Sequence, residues 1–148
     1  MKNLFDATTA EEVKQRIARL RPDSPRQWGT MSPGQAAAHC SAGIELATGE
    51  RKPPRKAMFW VLGWIIKPIV LGNDSPMRRN SPTMIAVEDD RNLDVERERL
   101  LSLVNRFVAA GPEVCTTHPH SFFGRLTPME WAILAYKHLD HHLRQFGV

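Results

Sequence analysis

The sequence predicts a single all-α domain over residues 1–148, an antiparallel four-helix bundle with an extra apolar helix between helices 2 and 3. Two helix starts carry a capping box with proline at the first helical position, Ser32 with Gln35 and Thr127 with Glu130. Apolar residues recur at three- and four-residue steps through the long segments, and no convincing strand pattern occurs. Helices packed around one core are therefore expected.

The first helix is expected to have Thr8 or Thr9 as its cap and to end near Leu20. Residues expected in its buried stripe are Val13, Ile17 and Leu20, and those expected to face water are Lys14, Arg16 and Arg19. Trp28 is the one large apolar residue of the proline-bearing loop that follows. It is expected to anchor that loop on the bundle.

Three further long helices have local start and stop signals. The second should begin after the Ser32 cap and end near Gly49, and the last should begin after Thr127. The third should start at Asn92 or Asp94 and stop before the Gly-Pro pair at residues 111–112. Its solvated face is expected to carry Glu96, Arg97, Glu98 and Arg99.

The most hydrophobic stretch, residues 57–72, follows a charged and proline-rich break. Its uninterrupted apolar run, residues 57–66, is far shorter than the roughly 20 residues of a membrane-spanning helix. The first interpretation is a buried or interface-packed helix. The alternatives are a subunit interface and a membrane-surface helix with residues 51–56 as its basic flank. Residues 72–91 are expected to be a loop with a short apolar run at residues 84–87.

The last helix carries the candidate functional residues. His138 and His142 lie four residues apart, a rise of about 6 Å, so both imidazoles can bind one metal ion. His39 lies early in the second helix among small residues, which leave room for a neighbouring helix or a bound group. We predict that His39, His138 and His142 bind one divalent transition metal, Zn, Ni or Fe, with a coordination position left open. The stripe that contains this pair consists of Trp131, Leu134, Ala135, His138, His142 and Gln145.

Each histidine also has an ordinary explanation. His39 alone is more often a packed or capping histidine, and a pair four residues apart also occurs on solvated helix faces. His141 lies on the adjacent face and could replace either ligand of the pair, but a supporting role, shared with Gln145, is expected. His118 and His120 precede the helix and are expected to belong to another feature.

Other reactive residues are expected to lie outside the site. Cys40 follows His39 by about 100° around the helix and should not point with it. Glu45, a candidate general base, also lies well around the helix. Asp140 is expected in solvent, with a hydrogen bond to His141 as the alternative. No catalytic residue is predicted.

The composition is that of an ordinary globular protein, with 42% hydrophobic and 24% charged residues. The net charge of +4 is scattered, without a nucleic-acid-binding motif or an interleaved basic and aromatic surface, so nucleic acid is not an expected partner. Cys40 and Cys115 form no disulfide framework. With no signal-peptide pattern at the start, a cytoplasmic protein without a transmembrane segment is expected.

Two segments, MSPGQAAAHC and YKHLDHHLRQ, resemble the DinB/YfiT-like superfamily, whose members are regarded as metalloenzymes. Within it, the chain is similar to a bacterial branch of unknown function over nearly its whole length. The order and spacing of short motifs carry the resemblance. These motifs are Trp28-Gly29, Met31, Gln35, Ala38-His39-Cys40, Asn80-Ser81-Pro82, Phe122-Phe123-Gly124, Leu126-Thr127-Pro128, Trp131 and the run from His138 to Gly147.

The resemblance implies an up-down-down-up bundle with a metal site formed by one histidine of the second helix and two of the last. These match His39, His138 and His142. The wider superfamily often ends its motif with His-Arg-Gly-Gln, where this chain has His142, Leu143, Arg144 and Gln145, so functions tied to that arrangement are not implied. In some members the metal activates a low-molecular-weight thiol, and others are hydrolases.

The sequence supports two main interpretations of the function. The first is a metal-dependent thiol transferase or hydrolase with a small-molecule substrate. A thiol is favoured because no carboxylate lies on the histidine stripe as a general base. The alternative is a non-catalytic homodimeric interaction module joined through residues 58–71, and a membrane-peripheral protein is a third interpretation.

Overall fold

The computed structural model describes residues 1–54, 58–81 and 85–148, with only the backbone of residues 58–60. Within these residues the chain is helical, without a strand, and one isolated bridge joins His120 and Gly124. The all-α prediction is therefore confirmed. The helices are α1 (Ala7–Arg19), α2 (Pro33–Thr48), α3 (Met58–Leu71), α4 (Leu93–Ala110) and α5 (Pro128–Gln145), and a 3-10 turn, Gly111–Val114, follows α4.

Some predicted features lie outside the described residues. These are the second part of the basic flank, residues 55–56, the first residue of the apolar run, Ala57, and parts of the loop at Pro82 and Met84. The side chain of Trp60 is likewise outside them.

The two helices that carry the predicted histidines begin at capping boxes. In α2, the Gln35 amide N–H donates to Ser32 Oγ at 3.2 Å, and the Ser32 N–H donates to Gln35 Oε1 at 2.9 Å. Thr127 and Glu130 make the equivalent pair of bonds at the start of α5. Gly49 ends α2 in the left-handed region, with φ of 79°. The predicted starts of both helices and the end of α2 are confirmed.

The predicted cap of α1 is wrong. The helix begins at Ala7, and the cap is Asp6, whose Oδ1 accepts the Thr9 amide N–H at 2.7 Å. Thr8 and Thr9 therefore lie inside the first turn. A carboxylate three residues before a free amide N–H is as good a cap as a hydroxyl and is favoured further by the helix dipole.

The core lies between α1, α2, α4 and α5. Both α1 and α2 pack against α4 and against α5, and the contact of α2 with α4 is the most extensive. Because α2 also packs on α5, the small-residue face around His39 meets the face of α5 that carries His138. The fully buried side chains at the centre include Ile17, Ile44, Phe107, Leu139 and Phe146.

Three charged residues expected in solvent are buried. Arg16 and Asp140, with 8% and 6% of their surfaces exposed, form an ion pair of 2.7 Å between α1 and α5. Glu96 is 5% exposed and pairs with Arg91 at 3.1 Å and with Arg99 at 3.3 Å. The predictions failed because helical periodicity does not show which charges meet a partner, and a paired charge can be buried.

The apolar stretch forms the predicted helix, α3, but much of that helix is not buried. Val61, Trp64 and Ile69 have 69%, 78% and 61% of their surfaces exposed. Among the helices, α3 packs mainly against α5, and Lys67 joins the two through an ion pair of 2.8 Å with Glu130. Covered on one side only, α3 has an apolar outer face. No helix in the described residues has the length and apolar character needed to cross a membrane.

Candidate metal centre

Three histidines meet where α2 packs on α5. His39 extends from α2, while His138 and His142 lie one turn apart on α5. Their ring centroids are 4.7, 4.8 and 4.9 Å apart, and one nitrogen from each ring lies within 4.8 Å of the other two. In the described part of the chain, this is the one group of three or more His, Cys, Asp or Glu side chains that converges in this way. The structure thus brings together the three residues that the sequence selected.

Gly43 makes room for the His138 imidazole. A Cβ atom at Gly43 would lie 2.6 Å from Nδ1 and 3.0 Å from Cε1 of His138. Glycine inside a helix costs about 1 kcal/mol relative to alanine. At this position, however, glycine lets the backbone of α2 come close to the His138 imidazole. A larger residue would displace the imidazole.

The orientation of His39 is fixed by a backbone carbonyl. His39 Nδ1 donates to the Ile85 carbonyl at 2.8 Å, so Nε2 keeps its lone pair. That Nε2 lies 2.9 Å from Nε2 of His138. In the absence of a metal, the His138 N–H can donate to it, and a metal ion would replace this hydrogen bond.

His142 is oriented by a side-chain amide. Gln145 Nε2 donates to the Trp28 carbonyl at 2.9 Å, so its Oε1 is the atom that faces His142. His142 Nδ1 lies 2.9 Å from this Oε1 and donates to it. The Nε2 lone pair of His142 therefore remains available, as in His39. Gln145, for which the sequence predicts a supporting role, thus contacts His142 directly.

Burial keeps the three imidazoles neutral. His39 is 6% exposed and the other two are half-buried. Burial lowers the pKa of His39, and it lowers the pKa of His142 to about 3, with the nearby His39 adding to the effect. The pKa of His138 lies well below its usual value because of burial first, then because of His142 and His39. Neutral imidazoles can bind a metal without first losing a proton.

The donor set could hold a divalent transition metal. In a tetrahedral site, zinc–nitrogen bonds of about 2.0–2.1 Å place two ligand nitrogens about 3.4 Å apart. The 2.9 Å between His39 and His138 would have to open slightly, and pairs of up to 4.8 Å would have to close. Shifts of less than about 1 Å in each side chain are enough for both. Three imidazoles leave a position open for a further ligand, and they suit Zn, Ni and Fe alike.

His141 lies beside this cluster. Its ring is 5.0 Å from that of His142 and 5.6 Å from that of Trp28. Burial lowers its pKa, while a hydrogen bond to the Met77 backbone and the charge of Asp140 act in the opposite direction. His141 therefore contacts a candidate ligand without belonging to the converging group.

His120 belongs to a separate turn, as expected from its position before α5. Its Nδ1 accepts the amide N–H groups of Phe122 and Phe123 at 3.0 and 3.1 Å, and its ring packs on Trp131. It is still near enough to contribute to the low pKa of His138. His118 is exposed.

The remaining candidates lie outside the cluster. Cys40 is buried in the core, where burial raises the pKa of its thiol. Glu45 pairs with Arg51 at 3.2 Å and also with Arg99. Both were expected to lie away from the site. Asp140 was expected in solvent, and its pairing with Arg16 contradicts that expectation.

Two backbone carbonyls at this site were not predicted. Ile85 is separated from its partner His39 by 46 residues, and the Trp28 carbonyl is separated from Gln145 by 117. No local sequence pattern indicates such long-range contacts. Gly43 had a signal, because it lies one turn after His39 in the small-residue stretch.

Comparison of the chain with curated proteins and with solved structures gave no match in either case. A family model described as "Protein of unknown function (DUF1569)" matches residues 2–147. The matched region includes all three histidines of the cluster and the residues that orient them. The chain therefore belongs to the DUF1569 family.

Proposed function

We propose that this protein is a metal-dependent enzyme of the thiol S-transferase or hydrolase type. His39, His138 and His142 hold one divalent transition metal, Zn, Ni or Fe. One observation carries the proposal: the Nδ1 atoms of His39 and His142 are both engaged in hydrogen bonds, so both Nε2 lone pairs are left for a common ligand. Hydrogen bonds of this kind orient the histidines of known metal sites.

The residues around the cluster favour a thiol as the group to be activated. A metal at three imidazoles supplies a positive centre that lowers the pKa of a thiol or of water. Water chemistry usually needs a general base as well. Glu45 and Asp140 are engaged by arginines, and the converging group contains no carboxylate. Stabilising a small thiolate needs no such base.

We further propose that α1, α2, α4 and α5 form an up-down-down-up bundle of the DinB/YfiT-like type, with α3 as the extra helix. Two observations support this proposal. Each of α1 and α2 packs on both α4 and α5, and the three histidines come from the second and last of these four helices. Two free cysteines suit a reducing cytoplasm as the place of action.

Elemental analysis of protein purified without a histidine tag tests the metal site. The wild type should contain about one transition metal per chain, and His39→Ala and His142→Ala should contain none, because two imidazoles bind far less tightly than three. His118→Ala is the matched control, since His118 is exposed and outside the cluster. If the wild type holds no metal and takes up none on titration with Zn, Ni or Fe, the enzyme proposal is wrong.

The exposed face of α3 favours a second candidate, a non-catalytic homodimeric interaction module. Val61, Trp64 and Ile69 place an apolar surface at the outside of the chain, and such patches often mark interaction sites. On this proposal, sedimentation should show a dimer that dissociates on dilution, and Trp64→Glu should be a monomer. A wild-type protein that stays monomeric at high concentration would remove this candidate, and the result is independent of the metal content.

A further inference from the structure

A tryptophan and an arginine lie next to the histidine cluster. The Arg79 guanidinium lies over the Trp28 ring, with Cζ 4.2 Å from the ring centroid. Trp28 also contacts His141, and the His141 ring contacts that of His142. Two ring contacts thus separate Trp28, which carries the Arg79 charge on its ring, from a proposed metal ligand.

The Arg79 charge has no carboxylate partner among the described residues. Seven other arginines form ion pairs there, but Arg79 forms none. Asp140, the carboxylate that acts on the neighbouring His141, is already paired with Arg16 at 2.7 Å and with Arg144 at 2.8 Å. The side chain of Arg79 is exposed. Its planar donors are therefore available to an anion, which an arginine can bind with two hydrogen bonds.

Hydrogen bonds hold Trp28, the residue that Arg79 contacts, in place relative to the proposed metal ligands. Gln145 bonds the Trp28 carbonyl with its Nε2 and His142 with its Oε1. Gly29, with φ of 73°, lets the backbone come so close that a Cβ there would lie 2.5 Å from Gln145 Nε2. One amide thus ties the Trp28 backbone and His142 together. The Trp28 indole N–H is also buried, with no hydrogen-bond partner within the described part of the chain.

From these contacts we infer that Arg79, supported by Trp28, binds the anionic group of the substrate. The inference rests on the proposed metal site and narrows its substrate class to small thiols that carry a carboxylate. The thiol would occupy the open position at His39, His138 and His142, and the carboxylate would meet the guanidinium. Arg79 is then a binding residue that distinguishes charged from neutral thiols.

Thiol binding to the Co²⁺-loaded protein tests the inference without any assay of activity. The visible spectrum of Co²⁺ reports a thiolate entering its coordination sphere. The probes are two matched pairs of different length: mercaptohexanoate with mercaptohexanol, and mercaptoacetate with mercaptoethanol. At low salt, at least one of the two acids should bind about tenfold more tightly than its alcohol, the value of one charge-assisted hydrogen-bonded contact.

Variants at two neighbouring arginines separate a specific contact from general attraction. Arg79→Gln should reduce the preference for the acid to near unity and leave binding of the alcohol unchanged. Arg78→Gln is the control, since Arg78 is also exposed and its removal changes the net charge equally. It should keep the preference. Added salt should weaken the preference in the wild type.

The outcomes distinguish the two proposals. Co²⁺ binding with equal affinity for acid and alcohol in both wild-type pairs, or a preference that survives in Arg79→Gln, would overturn the role of Arg79 and leave the metal site intact. A preference lost equally in both arginine variants would overturn it as well, because general charge would then be the cause. Failure of the wild type to bind Co²⁺ would overturn the metal site, and with it this inference.

Discussion

At position 43, any side chain larger than that of glycine would contact the imidazole of His138. The contact is with the ring of a side chain and not with backbone, so a methyl group at this position can be accommodated by rotating the imidazole. Such a rotation would move the Nε2 atom that lies 2.9 Å from His39. The geometry of the cluster is therefore more sensitive to this residue than the fold is.

Gly43→Ala should weaken metal binding by about ten- to a hundredfold, the range found when the residues that orient metal ligands are changed. The helix should not be weakened, because alanine favours it by about 1 kcal/mol over glycine. Competition with a chromophoric chelator measures the affinity. Ser41→Ala, on the same helix, removes a buried hydroxyl without a partner among the described residues and should bind metal as the wild type does. Wild-type affinity in Gly43→Ala would show that the imidazole position is not set by this contact.

At the scale of the helices, local signals predicted most of the elements but not all of their surroundings. The capping boxes of α2 and α5 are contained within four residues each, so sequence alone places them. The His138–His142 pair is also local.

By contrast, the exposure of α3 depends on which helices cover it, and the bond of His39 to Ile85 depends on how a distant loop is placed. The burial of Arg16 and Asp140 depends in the same way on the pairing of α1 with α5. Contacts of this kind come from tertiary structure, which periodicity does not encode.

The start of α5 should contribute to stability independently of the metal site. Thr127→Ala removes the hydroxyl that accepts the Glu130 amide N–H and should lower the free energy of unfolding by about 0.5–2 kcal/mol. His138 lies about three turns further along the helix, so metal affinity should not change. Urea unfolding and chelator competition measure the two quantities.

Ser102→Ala, at an exposed position of α4, is the control and should change stability by no more than about 0.5 kcal/mol. A matching loss of metal affinity in Thr127→Ala would mean that this end of α5 is coupled to the site.

Across the whole molecule, two separate polar clusters join α5 to α1 and to α2, beside its ion pair with α3. The ion pair of Arg16 with Asp140 links it to α1, and the histidine cluster links it to α2. Asp140 lies between His138 and His142 in sequence but on a different face of the helix. The ion pair does not involve a metal. The histidine link contains a hydrogen bond between His39 and His138 without metal and would be strengthened by an ion bound to all three imidazoles.

These two links should therefore contribute to stability separately. A metal at a hundredfold excess over its dissociation constant should raise the free energy of unfolding by about 2.7 kcal/mol, and chelation should remove that gain. Asp140→Asn leaves the buried Arg16 guanidinium with Glu12, 4.0 Å away, as its carboxylate partner, and should cost at most about 3–5 kcal/mol. Because the ion pair and the histidine cluster share no hydrogen bond, the metal should stabilise Asp140→Asn by as much as it stabilises the wild type.

The control variant His142→Ala should show no stabilisation by metal. Urea unfolding with and without metal gives all these values, and a metal effect that disappears in Asp140→Asn would show that the ion pair itself holds α5 in the position that metal binding requires.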